Sequence, residues 1–192
     1  MAYSFFAMLS RMKNIYRWAL MRNTRRENIA EHSYEVAVLT HALALIHNNL
    51  GESPVDPARC VMLAMYHDVP EILTGDMPTP VKYGNPVIRE AYRQVEQSAC
   101  DRLVEMLPAD LQGEYRPLLE EGDTESVEHR LVKAADKLSA LIKCIEELSQ
   151  GNREFASARR ATEQSIRKMG LAAAEAFMEQ YLPAYELPLD DQ

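Results

Sequence analysis

Helical periodicity in nearly every segment is what most limits the folds open to this chain. Apolar residues recur three and four positions apart, and no convincing run of alternating apolar and polar residues appears. The pattern predicts helices over about 4–16, 30–49, 57–67, 87–107, 124–149 and 153–180. Because 192 residues can form one well-buried core, we expect a single all-α helical bundle spanning 1–192.

The connections between these helices are marked by proline and glycine. Asp56-Pro57 is a helix start, with an acceptor side chain followed by proline in the first turn. Pro70 predicts a kink or a break, because proline disfavours helical geometry at Val69 and has no N–H to donate. Residues 74–86 hold three prolines and two glycines, which predicts a stiff loop. A weaker, proline-punctuated stretch follows the helix predicted over 87–107 and runs to about residue 122.

Composition and charge exclude several function classes. The chain is 47% hydrophobic and 26% charged, as expected of a globular protein, and no apolar run approaches the ~18 residues of a membrane span. The start also lacks the charged region of a signal peptide, so we expect a cytoplasmic protein that binds no membrane. A net charge of −8 argues against binding to a polynucleotide.

The N-terminal 26 residues differ from the rest, since they hold six basic residues and no acid. Such a strip suits one small anion, although a solvated basic face on a terminal helix fits the charge pattern equally well. The three cysteines form no CxxC spacing and lie in apolar helical settings. We therefore expect buried free thiols, neither disulfides nor zinc ligands.

A candidate metal site begins with the adjacent His67 and Asp68, which close an apolar helix. An unpaired buried carboxylate is strongly unfavourable, so this pair either caps the helix and is hydrogen-bonded or binds a ligand. His32 lies on the same apolar face as Val36 and Leu39, a position from which it can join the pair.

Asp136 is the fourth candidate and lies on the helix predicted over 124–149. It is on the side opposite an apolar stripe, among small or apolar neighbours, so this helix is expected to be covered on two sides. A surface ion pair with Lys133 is the alternative. Two imidazoles and two carboxylates suit Mn²⁺, Co²⁺, Fe²⁺ or Zn²⁺, and such a metal lowers the pKa of water and offsets phosphoryl charge.

Taken together, these residues and their surroundings resemble the metal-dependent phosphohydrolases of the HD-domain superfamily, and most closely their bacterial 5′-deoxynucleotidase branch. The matching stretches are Arg17-Trp18, Leu20-Met21-Arg22-Asn23, Glu31-His32-Ser33, Leu63-Ala64-Met65-Tyr66-His67-Asp68, Leu73-Thr74-Gly75-Asp76-Met77-Pro78-Thr79-Pro80-Val81-Lys82-Tyr83 and Lys143-Cys144-Ile145-Glu146-Glu147-Leu148. They occur in the family's order along nearly the whole chain.

The resemblance implies an HD-type helical homodimer, with its metal-site core at about 28–140, that removes the 5′-phosphate from deoxyribonucleoside monophosphates. It implies one divalent ion, Co²⁺, Mn²⁺ or a similar transition metal, held by His32, His67, Asp68 and Asp136. Further residues receive roles by the same resemblance: Arg17 orients the phosphate, Trp18 discriminates deoxyribose from ribose, Glu71 and Asp68 handle the proton, and Asp68, Asp76, Met77, Pro78, Thr79 and Asp136 contact the substrate.

Alternatives remain open at this stage. Trp18 can serve core packing, and Asp76 and Thr79 can serve ordinary turn chemistry. Glu71 can instead fix the tautomer of a ligand histidine by hydrogen bonding. For the whole protein, an HD-type phosphodiesterase or a nucleoside triphosphate phosphohydrolase is the alternative enzyme. A nucleotide-sensing helical protein that keeps the metal but turns nothing over is the alternative from another class.

Overall fold

The computed structural model describes residues 2–51, 53–82, 84–120 and 122–191, without the side chains of Thr79 and Leu189. Over these ranges the chain forms ten α-helices and no strand, so the all-α prediction is confirmed there. The helices are α1 Phe5–Leu9, α2 Ile29–Asn49, α3 Pro57–Tyr66, α4 Glu71–Thr74, α5 Thr79–Lys82, α6 Pro86–Val104, α7 Ala109–Leu119, α8 Val127–Ser149, α9 Ala156–Lys168 and α10 Ala172–Gln180. Four 3₁₀ segments accompany them: Ser10–Asn14, Arg153–Phe155, Leu182–Glu186 and Leu189–Asp191.

The chain divides into two compact units, each assembled from separate stretches. The first unit combines 1–21, 26–33 and 65–122, and the second combines 22–25, 34–64 and 123–192. The expectation of one domain over 1–192 stays a prediction.

In the first unit, residues 15–17 pair with residues 27–29, which lead into α2. The amide of Ile29 donates to the carbonyl of Ile15 at 3.0 Å, and the amide of Arg17 donates to the carbonyl of Glu27, also at 3.0 Å. Asn28 then caps α2, because its Oδ1 accepts from the amides of Ala30 and Glu31. These bonds bring Arg17 close in space to the first turn of α2, which carries His32.

The break expected at Pro70 is confirmed and separates α3 from α4. Helix α3 begins as predicted, with Asp56 Oδ1 accepting from the amide of Ala58 at 2.9 Å, and it ends at Tyr66. The next four residues form a turn, in which the amide of Glu71 donates to the carbonyl of Asp68 at 3.0 Å. His67 and Asp68 therefore lie in a turn between two helices.

The second unit is organised around α8, which contacts α9 and α10. Leu131, Leu138 and Leu141 on the predicted apolar stripe are fully buried. Val132 and Ser139 on the other side are also buried, so the prediction that this helix is covered on two sides is confirmed.

Three segments differ from their predicted structure. The N-terminal helix ends at Leu9 and continues as the 3₁₀ turn Ser10–Asn14, because Ile15 already has an extended backbone that pairs with Ile29. The predicted loop 74–86 contains one helical turn, α5, in which the amides of Val81 and Lys82 donate to the carbonyl of Pro78. The helix predicted over 153–180 is divided at Gly170, which has a left-handed φ of +58°.

Two other expectations concern the cysteines and the membrane. Cys60, Cys100 and Cys144 are all buried and none of them forms a disulfide, as predicted. Among the described residues, no helix is both long enough and apolar enough to pass through a bilayer.

Candidate metal and phosphate site

Three of the four predicted metal ligands meet in the first unit. His32, His67 and Asp68 each offer one ligand atom, and these atoms lie within 4.8 Å of one another. Two different elements position them. His32 lies on the capped first turn of α2, whereas His67 and Asp68 lie in the turn that precedes Pro70. The His32 side chain is completely buried, while those of His67 and Asp68 are each 16% exposed, so the group is largely shielded from solvent.

The spacing of these atoms fits a common cation. Asp68 Oδ2 lies 3.4 Å from His32 Nε2 and 3.2 Å from His67 Nε2. Two atoms that are each about 2.1 Å from one ion lie about 3.0 to 3.4 Å apart at octahedral or tetrahedral angles. Two imidazole nitrogens and a carboxylate oxygen are also a donor set that divalent transition metals accept. The residues therefore fit the predicted ion.

Arg17 joins this group as predicted. Its Nη1 donates to Asp68 Oδ2 at 3.3 Å, and its side chain is only 13% exposed. A guanidinium is permanently charged and can grip phosphate oxygens in a planar fork, so its position beside the ligands suits a phosphate.

The positive groups around Asp68 keep it ionised. Burial alone raises a carboxyl pKa, but the neighbouring His67, His32 and Arg17 hold the pKa of Asp68 well below its usual range. An anionic oxygen is what a divalent cation requires, whereas a carboxylate this weakly basic is a poor proton acceptor.

The pKa of Glu71, at the start of α4, is shifted in the opposite direction. Burial, reinforced by the negative charges of Asp68 and Asp76, raises the pKa of Glu71 to about 9. Its Oε2 is buried and has no hydrogen-bond partner among the described residues. A carboxyl group that is protonated at neutral pH can donate a proton to a leaving oxygen.

The segment after α4 carries the remaining predicted substrate contacts. Burial raises the pKa of Asp76, with Arg17 opposing the shift, so this carboxyl lies within electrostatic reach of the site. Met77 and Pro78 are half-buried in the same short segment. The side chain of Thr79 and the whole of Tyr83 lie outside the described residues. For all of these residues, substrate contact stays a prediction.

Trp18 has an unusual backbone. Its φ of +61° lies in the left-handed region, where a bulky side chain is rarely found. The indole Nε1 donates to Glu27 Oε2 at 3.0 Å. The half-buried side chain is therefore held by a specific hydrogen bond.

Glu27 is a residue that the sequence analysis missed. Besides Trp18, its carboxylate contacts Arg17 Nε at 3.5 Å and His32 Nδ1 at 3.4 Å through Oε1. Burial acts to raise its pKa, but the hydrogen bond with His32 and the charge of Arg17 lower the pKa of Glu27 overall. The available signal was that Glu27 is the first acid after the acid-free strip.

Asp136 and three further histidines remain, and of these only Asp136 was predicted to be a metal ligand. Asp136 belongs to the second unit, where its Oδ2 lies 3.8 Å from Lys133 Nζ, and its role as a fourth ligand stays a prediction. His41 is exposed, His47 Nε2 lies 3.0 Å from the carbonyl of Ser53, and His129 bonds Ser126 at the start of α8. None of these three belongs to the metal-ligating group found among the described residues.

Comparison with known proteins gives close sequence relatives. Residues 4–185 match the family described as 5′-deoxynucleotidase YfbR-like. A 5′-deoxynucleotidase of Pectobacterium atrosepticum is 48% identical over 187 residues, which cover 97% of this chain and 94% of that protein. The 5′-deoxynucleotidase YfbR of Photorhabdus temperata is 46% identical, with coverage of 97% and 95%.

Solved structures agree on the fold. An HD-domain phosphohydrolase from Listeria innocua superimposes with a TM-score of 0.84 at 28% identity, covering 95% of this chain and 88% of that one. The HD phosphohydrolase DatZ of cyanophage S-2L, solved with dA and one catalytic Zn²⁺, gives a TM-score of 0.67 at 19% identity, with coverage of 94% and 95%. The predicted HD-type fold is confirmed.

Proposed function

The chain belongs to the YfbR-like family of 5′-deoxynucleotidases, and from this premise we propose that it hydrolyses deoxyribonucleoside 5′-monophosphates to deoxyribonucleosides and phosphate. The observation that carries the proposal is the convergence of His32 Nε2, His67 Nε2 and Arg17 Nη1 on Asp68 Oδ2 at 3.2 to 3.4 Å. One cation and one guanidinium at that point suit a single terminal phosphate.

His32, His67 and Asp68 would hold one divalent ion, with Co²⁺ or Mn²⁺ as our proposal for its identity. When bound, such an ion supplies a Lewis acid that lowers the pKa of water and offsets phosphoryl charge. Asp68 remains anionic and serves as a ligand, so the proton chemistry falls to another group.

Glu71 is that group. In the proposed reaction a water oxygen bonds to phosphorus in line with the departing 5′-oxygen, and the P–O5′ bond breaks. Glu71, protonated beforehand, gives its proton to the 5′-oxygen and recovers one from the attacking water. Arg17 holds the phosphate in line through its planar fork. The deoxyribose lies against Trp18, whose indole excludes a 2′-hydroxyl, and Asp76, Met77, Pro78 and Thr79 contact the nucleoside.

Asp136 completes the ligand set in this proposal and makes a first prediction. We expect Asp136→Asn to weaken Mn²⁺ binding, because an amide oxygen carries no charge, and we expect activity to fall with it. Glu163→Gln, an exposed carboxylate of the same unit that pairs with Arg167, is the control. Unchanged Mn²⁺ affinity in Asp136→Asn, measured calorimetrically, would remove Asp136 from the set.

The test of the function is a panel of nucleotides with released phosphate as the readout. Deoxyribo- and ribonucleoside mono-, di- and triphosphates and cyclic nucleotides are each assayed with Co²⁺, Mn²⁺, Zn²⁺ or Mg²⁺, and with a chelator. We expect turnover of the deoxyribonucleoside monophosphates, and none with the chelator. Preference for a cyclic or triphosphate substrate would favour the phosphodiesterase or triphosphohydrolase alternative, and no turnover of any nucleotide would favour a sensing protein.

We also propose that the protein is a cytoplasmic homodimer. The support within the chain is an exposed apolar face on α2, where Tyr34, Val38 and Leu45 fall on one side of the helix and are 73%, 52% and 44% exposed. Sedimentation velocity tests the dimer, and a monomeric mass at micromolar concentration would exclude it.

A further inference from the structure

One carboxylate in the first unit contacts three residues of the proposed site. Glu27 Oε2 accepts from the indole of Trp18 at 3.0 Å, and Oε1 lies 3.5 Å from Arg17 Nε and 3.4 Å from His32 Nδ1. Its side chain is 14% exposed, beside an Arg17 side chain that is 13% exposed and a His32 side chain that is completely buried. In the proposed function, Trp18 contacts the sugar, Arg17 holds the phosphate and His32 binds the metal.

The backbone gives an independent reason to expect that these contacts matter. Trp18 has a φ of +61°, which is strained for a bulky residue and persists only where its surroundings enforce it. On one side, the amide of Arg17 donates to the carbonyl of Glu27. On the other, the amide of Met21 donates to the carbonyl of Trp18 at 2.9 Å. Glu27 thus holds both the backbone before Trp18 and its indole.

The contact between Glu27 and His32 has a different effect. An imidazole that binds a metal through Nε2 offers Nδ1–H to a second partner, which fixes the tautomer and the ring orientation. Glu27 Oε1 is that partner here. The same oxygen faces Arg17 Nε, while Arg17 Nη1 reaches Asp68. Both contacts therefore orient groups that point toward the ligand Asp68.

From these contacts we infer that Glu27 is a positioning residue, which fixes the indole of Trp18, the guanidinium of Arg17 and the imidazole of His32 together. Selection of deoxyribose, grip on the phosphate and metal affinity are thereby coupled through one side chain that touches neither substrate nor metal. This inference rests on the proposed function for its kinetic consequences, but not for its structural ones.

The experiment compares Glu27→Ala and Glu27→Gln with the wild type by three readouts. Trp18 is the only tryptophan, so the emission spectrum and acrylamide quenching of the metal-free protein report its setting directly. Titration with Mn²⁺ alone gives the metal affinity. The ratio of kcat/KM for 2′-deoxyadenosine and adenosine 5′-monophosphates gives the sugar selectivity.

We expect Glu27→Ala to shift the tryptophan emission to longer wavelength, to increase quenching, and to lower both Mn²⁺ affinity and the selectivity ratio by roughly 10- to 100-fold. Glu27→Gln separates the two functions of the carboxylate. Its amide oxygen can still accept from the indole, so the emission and the selectivity ratio return toward wild type, while the Mn²⁺ affinity stays low because the charge facing His32 is gone.

Glu120→Gln is the matched control, since Glu120 also pairs with a guanidinium in the first unit, at 2.6 Å from Arg116 Nη1. It should retain all three wild-type values. A Glu27→Ala protein with unchanged emission and selectivity would overturn the inference. If that variant does not fold, a Glu27→Gln protein with wild-type Mn²⁺ affinity overturns it instead. A wild type that hydrolyses no nucleotide defeats the proposed function alone, because emission and Mn²⁺ affinity still test Glu27.

Discussion

At the scale of residues, the pKa values of three carboxyl groups in one short stretch are not all shifted in the same direction. The pKa of Asp68 is held low by two imidazoles and a guanidinium, whereas burial and neighbouring carboxylates raise the pKa of Glu71 to about 9 and burial also raises that of Asp76. Environments that separate the pKa values of nearby acids assign them different tasks. Here the anion suits a cation and the neutral acid suits proton donation.

Glu71→Gln tests that division of tasks. The amide keeps the size of the side chain but has no acidic proton, so we expect kcat to fall by about 10²- to 10⁴-fold. Mn²⁺ affinity should stay within a few-fold of wild type, because Glu71 does not belong to the metal-ligating group. Phosphate release and a metal titration measure the two quantities. Appreciable retained activity would leave Glu71 with only an orienting role.

The residue scale also shows where sequence reasoning succeeded and failed. His67 and Asp68 were found because two ligand types stand together at the end of an apolar helix, and His32 because it shares an apolar face. Glu27 was missed because its one sequence signal, its place as the first acid after the acid-free strip, does not reveal its partners. Its three partners become neighbours only when the connection before α2 turns back on itself.

At the scale of elements, α8 is anchored by a buried ion pair in the second unit. Glu147 is 1% exposed and accepts bonds from Lys143, from the amide and hydroxyl of Thr24, and from Asn152. Burial acts to raise its pKa, but these bonds outweigh it and lower the pKa of Glu147 from 4.5 to about 2. The segment 22–25 is thereby held against α8.

This anchor predicts an acid-dependent stability. A carboxyl whose folded pKa is depressed contributes stability that is fully present above its unfolded pKa and is lost as pH falls through the folded value. For Glu147 that window runs from about pH 5 to about pH 2. We therefore expect the difference in unfolding free energy between wild type and Glu147→Gln, measured by urea denaturation, to shrink across this window. A difference that stays constant with pH would contradict the assignment.

The break between α9 and α10 depends on one glycine. Gly170 has a φ of +58°, so Gly170→Ala should cost about 1 kcal/mol and lower the Tm by roughly 2–4 °C. Gly113→Ala is the matched control within α7, where an added Cβ meets nothing within 4 Å. There alanine should stabilise the protein by roughly 0.5–1 kcal/mol, because it favours the helix. Calorimetry should show a fall in Tm for Gly170→Ala and a rise for Gly113→Ala. A Gly170→Ala protein as stable as the wild type would contradict this prediction.

The helix boundaries also show which features of the fold the sequence pattern could predict. Helices α2 and α3 begin within a residue of their predicted starts, and for α3 the capping Asp56 and Pro57 mark the start. The division at Gly170 and the turn of α5 escaped prediction. A glycine inside a periodic stretch costs little locally, and whether it ends a helix depends on where the next segment finds its packing.

At the scale of the whole molecule, metal binding should be visible as thermal stability. An ion that binds the folded state alone stabilises it by about 2.7 kcal/mol at 100 times its Kd, which corresponds to roughly 5–10 °C in Tm for a chain of this size. We expect Mn²⁺ to raise the wild-type Tm by that amount and a chelator to reverse it. His67→Ala should show no rise, and an equal rise in that variant would place the ion elsewhere.

The fold class was more predictable than the division into two units or the oligomeric state. Period and length indicated an all-α chain, and the family motifs indicated its HD-type fold. Neither signal indicated two compact units built from interleaved stretches, because the periodicity of a helix reveals its apolar face but not its partner. Nor does it reveal whether the exposed face of α2 meets a second copy of the chain.

The left-handed backbone at Trp18 has a consequence for variation at that position. Glycine would adopt the same φ without strain, so Trp18→Gly would relax the main chain but remove the indole. In the proposed function that indole excludes a 2′-hydroxyl, so stability and sugar discrimination place opposite demands on position 18. Under that proposal, tryptophan is retained there because distinguishing two sugars outweighs the benefit of a more stable protein.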